Sequence, residues 1–342
     1  MKLLSFIIPS YNCEKYLDKC LTSMLHPELL DQLEIIVVND GSQDSTASIA
    51  EGYVQNYPGT VRLINQENKG HGGALNTGCA AAQGKYLKVI DADDWVETDN
   101  LPTFLSFLDH CNSDVVLTHH DTLDISNGEV KQWKSYPAEF QKAYTLEQIM
   151  EQSGNFDRSL TFHGITYRRD FYQAKAIKLS EKVFYEDHEF ATIPCCFATS
   201  VTPVDLLVYH YRIGDVEQSV SEANQLKRLS HMETVLTRLA QEYNTLELGP
   251  GGRAFFEMKA QVVLLSYMTT VMLVHPDRKK GRNLGDTMMK AMQTGLPGAY
   301  YRSATQYKIF RLMNLMHIRK STWEKILNSR LYRRVRGSHD FN

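Results

Sequence analysis

The chain lacks the cysteine patterns that mark secreted proteins. Its six cysteines (13, 20, 79, 111, 195, 196) form no Cys-x-x-Cys pair and no regular framework. The N-terminal residues Met1–Leu4 run directly into a strand-like segment without a signal peptide. We therefore expect the protein in the reducing cytoplasm.

The chain also lacks a long hydrophobic run and a large net charge. Its longest apolar stretch, 260–274, contains one glutamine, one serine and two threonines and is short for a bilayer span, so we expect a buried helix there. The net charge of −3 is uneven, since residues 301–342 hold ten Lys/Arg against two acids. This basic tail follows an acidic body.

No internal repeat or low-complexity tract interrupts the chain. Its 342 residues, 43% hydrophobic and 23% charged, are typical of a globular protein larger than one average domain. Beyond residue 224 the pattern becomes helical, so we place a domain boundary near residue 222. The expected domains are 1–222 and a smaller, all-helical region, 223–342.

The first hundred residues alternate strand and helix patterns, which favours a parallel sheet with helices on both faces. The predicted strands are 5–9, 34–38, 61–64 and 86–90, and the predicted helices are 14–25, 44–54 and, after a glycine-rich turn, 74–82. Further elements are strands 114–118 and 201–211, a polar excursion 124–136 with a turn at 127–128, and helices 145–152, 225–243, 255–274 and 284–292.

Polar residues follow each predicted strand of the first half. They are Tyr11-Asn12, Asn39 to Ser42, Asn68 to Gly70 and Asp91 to Asp94. In parallel sheets, ligands bind beyond the carboxyl ends of the strands. We therefore expect these residues to share one cleft.

The most informative of these groups is Asp91, Asp93 and Asp94, which follows a hydrophobic strand. Burying such carboxylates unpaired would be costly. Carboxylate oxygens suit a hard divalent metal, and a nucleotide diphosphate would complete its coordination. The alternative for an isolated Asp-x-Asp is a solvated acidic turn.

These groups occur with two further features in a recognisable order. The segments SFIIPSYN (5–12), VVNDGSxDST (37–46), NKG (68–70), DADD (91–94) and YEDHEF (185–190) resemble family 2 glycosyltransferases of GT-A fold over residues 3–222. The resemblance implies an α/β fold with a Rossmann-like, mostly parallel sheet flanked by helices. It also implies an inverting transferase that moves a sugar from a nucleotide diphosphate, with a UDP-sugar as the expected donor.

By this resemblance the acceptor is a hydroxyl of a glycan or a lipid-linked molecule in cell-surface or exopolysaccharide synthesis, and the cofactor is Mn²⁺ or Mg²⁺. Asp93 is expected to touch the metal, Asp91 to hold the ribose or a metal-bound water, and Asp94 to orient either of them or contact the donor sugar. The expected donor-binding residues are Pro9, Tyr11, Asn12, Asp40, Asn68, Lys69, Gly70, Asp91, Ala92, Asp93, Asp94, Arg212 and Ser219. Arg212, Ser219 and neighbouring Gln218 and Ser221 belong to an expected loop that closes over the diphosphate.

Asp187 is the expected general base, and Glu186 is the second candidate. An in-line attack needs a carboxylate on the acceptor side, opposite the leaving diphosphate. The alternative is an acid pair at a helix N-terminus, stabilised by the helix dipole.

The chain departs from the family pattern at two positions. Asn39 replaces the first of two acids, and Leu75 stands where an arginine commonly precedes Asn76. Lys69 and His71 are candidates to supply the missing positive charge, although we expect His71 to be a loop residue rather than a catalyst.

Other functions stay open at this point. A catalytically silent sugar-nucleotide scaffold would lack intact acids, and a sugar nucleotidyltransferase would show a basic, glycine-rich loop near the first strand.

The basic end, including 308–313 and 323–336, mixes cations with apolar residues. Such a segment fits an anionic membrane surface on the inner face of the plasma membrane. The alternatives are a packed terminal helix and an oligomer contact. Nucleic-acid binding is not expected because the body is acidic.

Overall fold

The structure is a computed structural model that describes residues 2–156, 158–215 and 222–322. The chain forms two compact units, one comprising Met1–Gln218 and Leu246–Phe256, the other Ser219–Thr245 and Glu257–Asn342. The domain boundary near residue 222 stays a prediction.

The strands of the described residues form one mixed sheet in the first unit. They are β1 (Leu4–Ser10), β2 (Leu33–Asn39), β3 (Val61–Asn65), β4 (Tyr86–Val89), β5 (Trp95–Val96), β6 (Val115–Asp124), β7 (Val130–Trp133), β8 (Ile165–Arg168) and β9 (Val201–Ile213). Their order is β3-β2-β1-β4-β8-β6-β9-β5, with β7 paired to β6. Strands β1 to β4 and the pair β6/β9 are parallel, whereas β8, β7 and β5 pair antiparallel.

The parallel part of the sheet follows from its sequence. Strands β1 and β2 are buried at every position, as expected for parallel strands that are covered on both faces.

The helices of the first unit's main segment are α1 (Leu17–Met24), α2 (Thr46–Asn56), α3 (Gly70–Ala81), α4 (Leu101–His110), α5 (Leu146–Glu151), α6 (Arg169–Ala174) and α7 (Asp187–Thr192). The predicted α/β class is confirmed.

Helix α3 differs from its prediction, because it begins at Gly70 rather than Ala74. The glycine-rich stretch is thus the helix's first turn and not a connecting turn. Glycine is required for close packing here: a Cβ at Gly78 would overlap the side chain of Ile7 on β1.

The predicted polar excursion at 124–136 is also wrong in part. Residues Val130–Trp133 form strand β7, which pairs antiparallel with the end of β6. Its first three residues are exposed, so the segment lacks the apolar alternation that identifies a half-buried strand.

The second unit is helical in its described residues. Its helical segments are α8 (Glu222–Lys227), α9 (Leu229–Thr245), α10 (Pro250–Thr269), which begins in the first unit, a π-helical turn (Thr270–Val274), α11 (Arg278–Gly295) and α12 (Pro297–Leu315). The predicted helix 225–243 is therefore two helices, α8 and α9, and α10 begins at Pro250 rather than at residue 255 as predicted. Most apolar residues of 260–274 are buried, as expected. Within the described part of the chain, no helix combines the length and apolar content that a bilayer crossing needs.

Candidate functional site

Three carboxylates follow β4 and form an acidic cluster. One oxygen from each of Asp91, Asp93 and Asp94 lies within 4.8 Å of the others. Asp91 and Asp93 are half-buried, whereas Asp94 is buried. Clustered carboxylate oxygens match the ligand preference of Mg²⁺ and Mn²⁺.

Asp94 is tied to strand β9. It accepts hydrogen bonds from the Tyr209 hydroxyl and from the Arg212 backbone N–H, the latter at 2.8 Å. Burial raises the pKa of Asp94 well above its usual value, and the neighbouring Asp93 and Asp91 carboxylates raise it further. Tyr209 also accepts a hydrogen bond from the Asp91 backbone N–H at 3.2 Å. The role expected for Asp94, to orient the other carboxylates or contact the donor sugar, stays a prediction.

Two neighbouring cavities form a cleft beside the acidic cluster. The first, of about 380 Å³, is lined by Pro9, Tyr11, Asn12, Cys13, Tyr16, His71, Asp91, Ala92, Asp93, Phe184, Arg212 and Asp215. The second, of about 590 Å³, is lined by Pro9, Ser10, Tyr11, Asp40, Asn68, Gly70, His71, Ala74, Lys182, Val183 and Phe184. The shared lining residues show that the cavities are parts of one cleft.

The second cavity contains Tyr11 and Asp40, two of the expected donor-binding residues. The Asp40 side chain is buried and accepts hydrogen bonds from the Lys69 backbone N–H at 2.8 Å and from Gln66 Nε2 at 2.6 Å. Tyr11 is 52% exposed, so its ring is open to a ligand. The tertiary structure thus brings together residues from the ends of β1, β2 and β3.

Arg212 lies at the end of β9 and lines the first cavity. Its guanidinium carbon is 4.5 Å from the centre of the Tyr16 ring, and its Nη2 is 3.2 Å from Asp215 Oδ2. The cation therefore lies in the same cavity as Asp91 and Asp93. Ser219, with Gln218 and Ser221, lies outside the described residues.

The two candidate bases lie at the start of α7. Asp187 is its first residue and is half-buried, whereas Glu186 is buried. Glu186 Oε1 is 2.5 Å from His71 Nδ1, and His71 Nε2 is 2.9 Å from Asp91 Oδ1. Burial by itself would lower the pKa of His71, but the Asp91 and Glu186 carboxylates outweigh it and raise that pKa well above its usual value.

The Tyr211 phenol lies among acidic groups and has a raised pKa. Burial raises the pKa of Tyr211, and charges on Asp94, Asp91, Asp187 and Asp93 raise it further. Both burial and the surrounding negative charge therefore disfavour ionisation of this phenol.

The prediction that His71 is a loop residue is wrong. His71 is in the first turn of α3 and bridges two carboxylates. Leu75 is fully buried, so this position packs in the core and offers no charge to the cleft.

Sequence reasoning missed several residues of the site. Tyr209, Phe184 and Tyr16 touch the acidic cluster or line the cleft. Tyr209 lies in the predicted strand 201–211, but its partner Asp94 is 115 positions away. Trp95, directly after the acidic cluster in the sequence, stacks on His210 with ring centres 5.3 Å apart.

Comparisons with known proteins agree with this architecture. Residues 5–174 match the family described as Glycosyl transferase family 2. EpsH of Bacillus subtilis (strain 168), which is named as a glycosyltransferase, is 32% identical over 218 residues, covering 61% of this chain and 60% of EpsH. YibD of Escherichia coli (strain K12), also named as a glycosyltransferase, is 29% identical over 248 residues, covering 70% of this chain and 71% of YibD.

A solved structure extends the likeness to the fold. The structure of Staphylococcus aureus TarS residues 1–349 in complex with UDP-GlcNAc superposes with a TM-score of 0.64, at 20% identity, over 93% of each chain. This likeness confirms the predicted GT-A type of fold. The matched segment contains strands β2 to β4, most of β1 and the acidic cluster, and the chain belongs to glycosyl transferase family 2.

Proposed function

We propose that the protein is an inverting, metal-dependent glycosyltransferase that moves a sugar from a UDP-sugar to a hydroxyl of a glycan or lipid-linked acceptor. The observation that carries the proposal is the acidic cluster, which lies at a cleft that Arg212 also lines. His71 connects this cluster to Glu186, the residue before Asp187. Membership of the family supports sugar transfer as the reaction.

The nucleotide is assigned to the second cavity. Tyr11 offers an exposed aromatic face for stacking on a base. Asp40, held by Lys69 and Gln66, offers a carboxylate to the imide N–H of uracil. The TarS structure, which shares the fold, was solved with UDP-GlcNAc, and this supports a UDP-sugar as donor.

Asp93 and Asp91 are the proposed metal ligands, because the buried Asp94 accepts hydrogen bonds from β9 instead. A bound Mn²⁺ or Mg²⁺ would neutralise the charge that develops on the departing diphosphate. Arg212 lines the same cavity and would add a fixed positive charge for phosphate oxygens.

Asp187 is the proposed general base. Its carboxylate would accept the proton of the acceptor hydroxyl as that oxygen attacks the anomeric carbon in line with the leaving diphosphate, which inverts the anomeric centre. Glu186 is less suited to this role, because it is buried against His71. The residues assigned to the loop after Arg212 stay predictions.

The first test measures donor binding. We expect isothermal titration to show UDP binding that Mn²⁺ strengthens, and we expect Asp93→Ala to abolish the metal effect. Asp99→Asn removes an exposed carboxylate outside the cluster and serves as the matched control. Equal UDP affinity with and without Mn²⁺ in the wild type would contradict the proposal.

The second test separates binding from chemistry. A panel of UDP-sugars (glucose, galactose, N-acetylglucosamine) is screened for UDP release by the wild type. With the best donor, Asp187→Asn should keep UDP affinity and lose roughly 10²- to 10⁴-fold in turnover, whereas Glu181→Gln, an exposed acid nearby, should behave as wild type. Full turnover in Asp187→Asn would place the base elsewhere, and no turnover by the wild type would favour a silent scaffold.

A further inference from the structure

We infer that His71 is a positioning residue that holds the segment with the general base in register with the metal-binding strand. The inference rests on the proposed function, and it assigns a role to a side chain that connects two sides of the cleft. His71 lines both cavities, and its two ring nitrogens contact Asp91 after β4 and Glu186 before α7.

The first turn of α3 is shaped to receive the segment 179–187. A Cβ at Gly70 would lie 2.8 Å from the Lys182 backbone nitrogen, and a Cβ at Gly72 would overlap the Ser180 carbonyl oxygen. Gly70 also has a φ of +76°, which a residue with a side chain rarely adopts. These glycines let a second backbone pass directly over the helix start.

The segment is attached along α3 at successive points. Asn76 donates a hydrogen bond to the Leu179 carbonyl at 3.0 Å and accepts one from the Leu179 N–H at 2.8 Å. Further along, the Lys182 N–H donates to the Lys69 carbonyl at 2.8 Å. The contact between His71 and Glu186 is the last of these attachments before Asp187.

The attachment made by His71 differs from the others because it also reaches the acidic cluster. Glu186 is buried, and a buried carboxylate needs a compensating hydrogen bond or charge. Positioned between two carboxylates, the imidazole ring contacts Glu186 through Nδ1 and Asp91 through Nε2. One side chain thus sets the spacing between the strand that ends at the metal ligands and the helix that begins with the base.

This spacing matters because an in-line attack requires the base and the leaving group on opposite sides of the anomeric carbon. A shift of the base by about 1 Å is enough to reduce turnover by roughly 10²-fold. Removing the ring should therefore impair the chemical step more than the binding of UDP. The residues proposed to bind UDP and its metal, Tyr11, Asp40 and Asp93, are unchanged in such a variant.

The test compares His71→Ala, His71→Asn and His71→Gln with the wild type and with His110→Ala, which alters an exposed histidine at the end of α4. We expect His71→Ala to lower kcat for UDP release by roughly 10- to 100-fold and to change the Kd for UDP with Mn²⁺ by less than about threefold. His71→Asn, whose amide lies near the Nδ1 position, should restore more of kcat than His71→Gln, whose amide lies near Nε2. His110→Ala should change neither quantity.

A second measurement does not depend on activity. Hydrogen–deuterium exchange of apo His71→Ala should accelerate in 179–187 and stay unchanged in β1 and β2. Unchanged exchange there, or a rise in Kd that accounts for the whole loss of kcat/KM, would overturn the positioning role, because His71 would then act on the donor itself. If the wild type binds no UDP, the proposed function fails first; if the wild type is active and His71→Ala is equally active, only this inference fails.

Discussion

Polar side chains lie inside the core close to the acidic cluster. Lys88 Nζ donates to the carbonyl oxygens of His163 at 2.6 Å and Ile165 at 3.4 Å. The ring centre of His163 lies 4.9 Å from that of Tyr209, whose hydroxyl bonds Asp94. At the residue scale, the acidic cluster is therefore supported by buried groups that the sequence motifs do not include.

Tyr209→Phe tests this support. The variant removes the hydroxyl that donates to Asp94 and accepts from the Asp91 N–H, so we expect about 1–3 kcal/mol lower stability and several-fold weaker UDP binding with Mn²⁺. Tyr53→Phe, which removes a hydroxyl bonded to Asp18 and Thr22, should lower stability without changing UDP affinity. Urea unfolding and titration calorimetry measure the two effects. Unaltered affinity in Tyr209→Phe would show that UDP binding does not depend on the Tyr209 hydroxyl.

The buried Lys88 should make the free energy of unfolding depend on pH. Burial lowers the pKa of Lys88 to about 7, whereas an unfolded lysine titrates near 10.4. Between these values the unfolded chain binds more protons, so this residue makes stability rise with pH. Relative to Lys88→Met, the wild type should gain roughly 2–3 kcal/mol between pH 7 and 9.

Urea unfolding of both proteins at pH 7, 8 and 9 measures this difference. Lys142→Met, an exposed position, is the control and should follow the pH dependence of the wild type. A constant difference between wild type and Lys88→Met over this range would show that Lys88 keeps an ordinary pKa.

At the element scale, α3 has two functions, since it packs on β1 and β2 and supports the segment before α7. Its sequence predicts a helix, but the start at Gly70 was missed because glycines usually indicate a turn. Tertiary packing reverses that expectation, because the close approach of Ser180 and Lys182 requires residues without a side chain. Strand β7 was missed for a related reason, since its pairing with β6 and not its own pattern makes it a strand.

Gly72→Ala tests the role of α3. Although alanine favours helices, its Cβ would overlap the Ser180 carbonyl and lie 2.8 Å from Glu186 Cγ. We expect stability to fall by about 1–3 kcal/mol and turnover to fall with it. Gly52→Ala in α2 meets nothing within 4 Å and should raise stability by about 0.5–1 kcal/mol. A stabilised, fully active Gly72→Ala would contradict the packing described here.

At the scale of the whole molecule, charge is divided between an acidic body and a basic end. Residues 301–342 carry a formal charge of +8, which leaves −11 on the rest. In the described part of this end, helix α12 and the residues after it expose Leu312, Leu315 and Met316 together with Lys308 and Arg319. Residues 323–336, which complete the predicted amphipathic end, lie outside the described residues.

We predict that this basic end binds anionic lipid. The protein should co-sediment with vesicles that contain phosphatidylglycerol, but not with phosphatidylcholine alone, and high salt should release it, since each surface cation contributes about 1 kcal/mol near such a membrane. The double substitution Lys308→Glu, Arg319→Glu, at two exposed positions, should weaken binding. Binding that ignores salt and lipid charge would contradict the prediction, and a concentration-dependent mass in light scattering would instead favour an oligomer contact.

The sequence by itself determined the fold class and the identity of most candidate donor-binding residues. Buried runs such as β1 and β2 specify parallel strands, and residues at the strands' carboxyl ends must meet at one edge of the sheet. For this reason Tyr11, Asp40 and Asp93 could be assigned to one cleft although they are distant in the chain.

Only the tertiary structure decided how the two sides of that cleft are connected. His71 contacts Asp91 at a separation of 20 positions, but its other partner, Glu186, and the partners of Tyr209 and Lys88 are 75 to 118 positions away. Local sequence patterns do not encode contacts at that separation. Whether a histidine between glycines is a loop residue or a bridge depends on which backbone passes over it, and that is set by the packing of the whole unit.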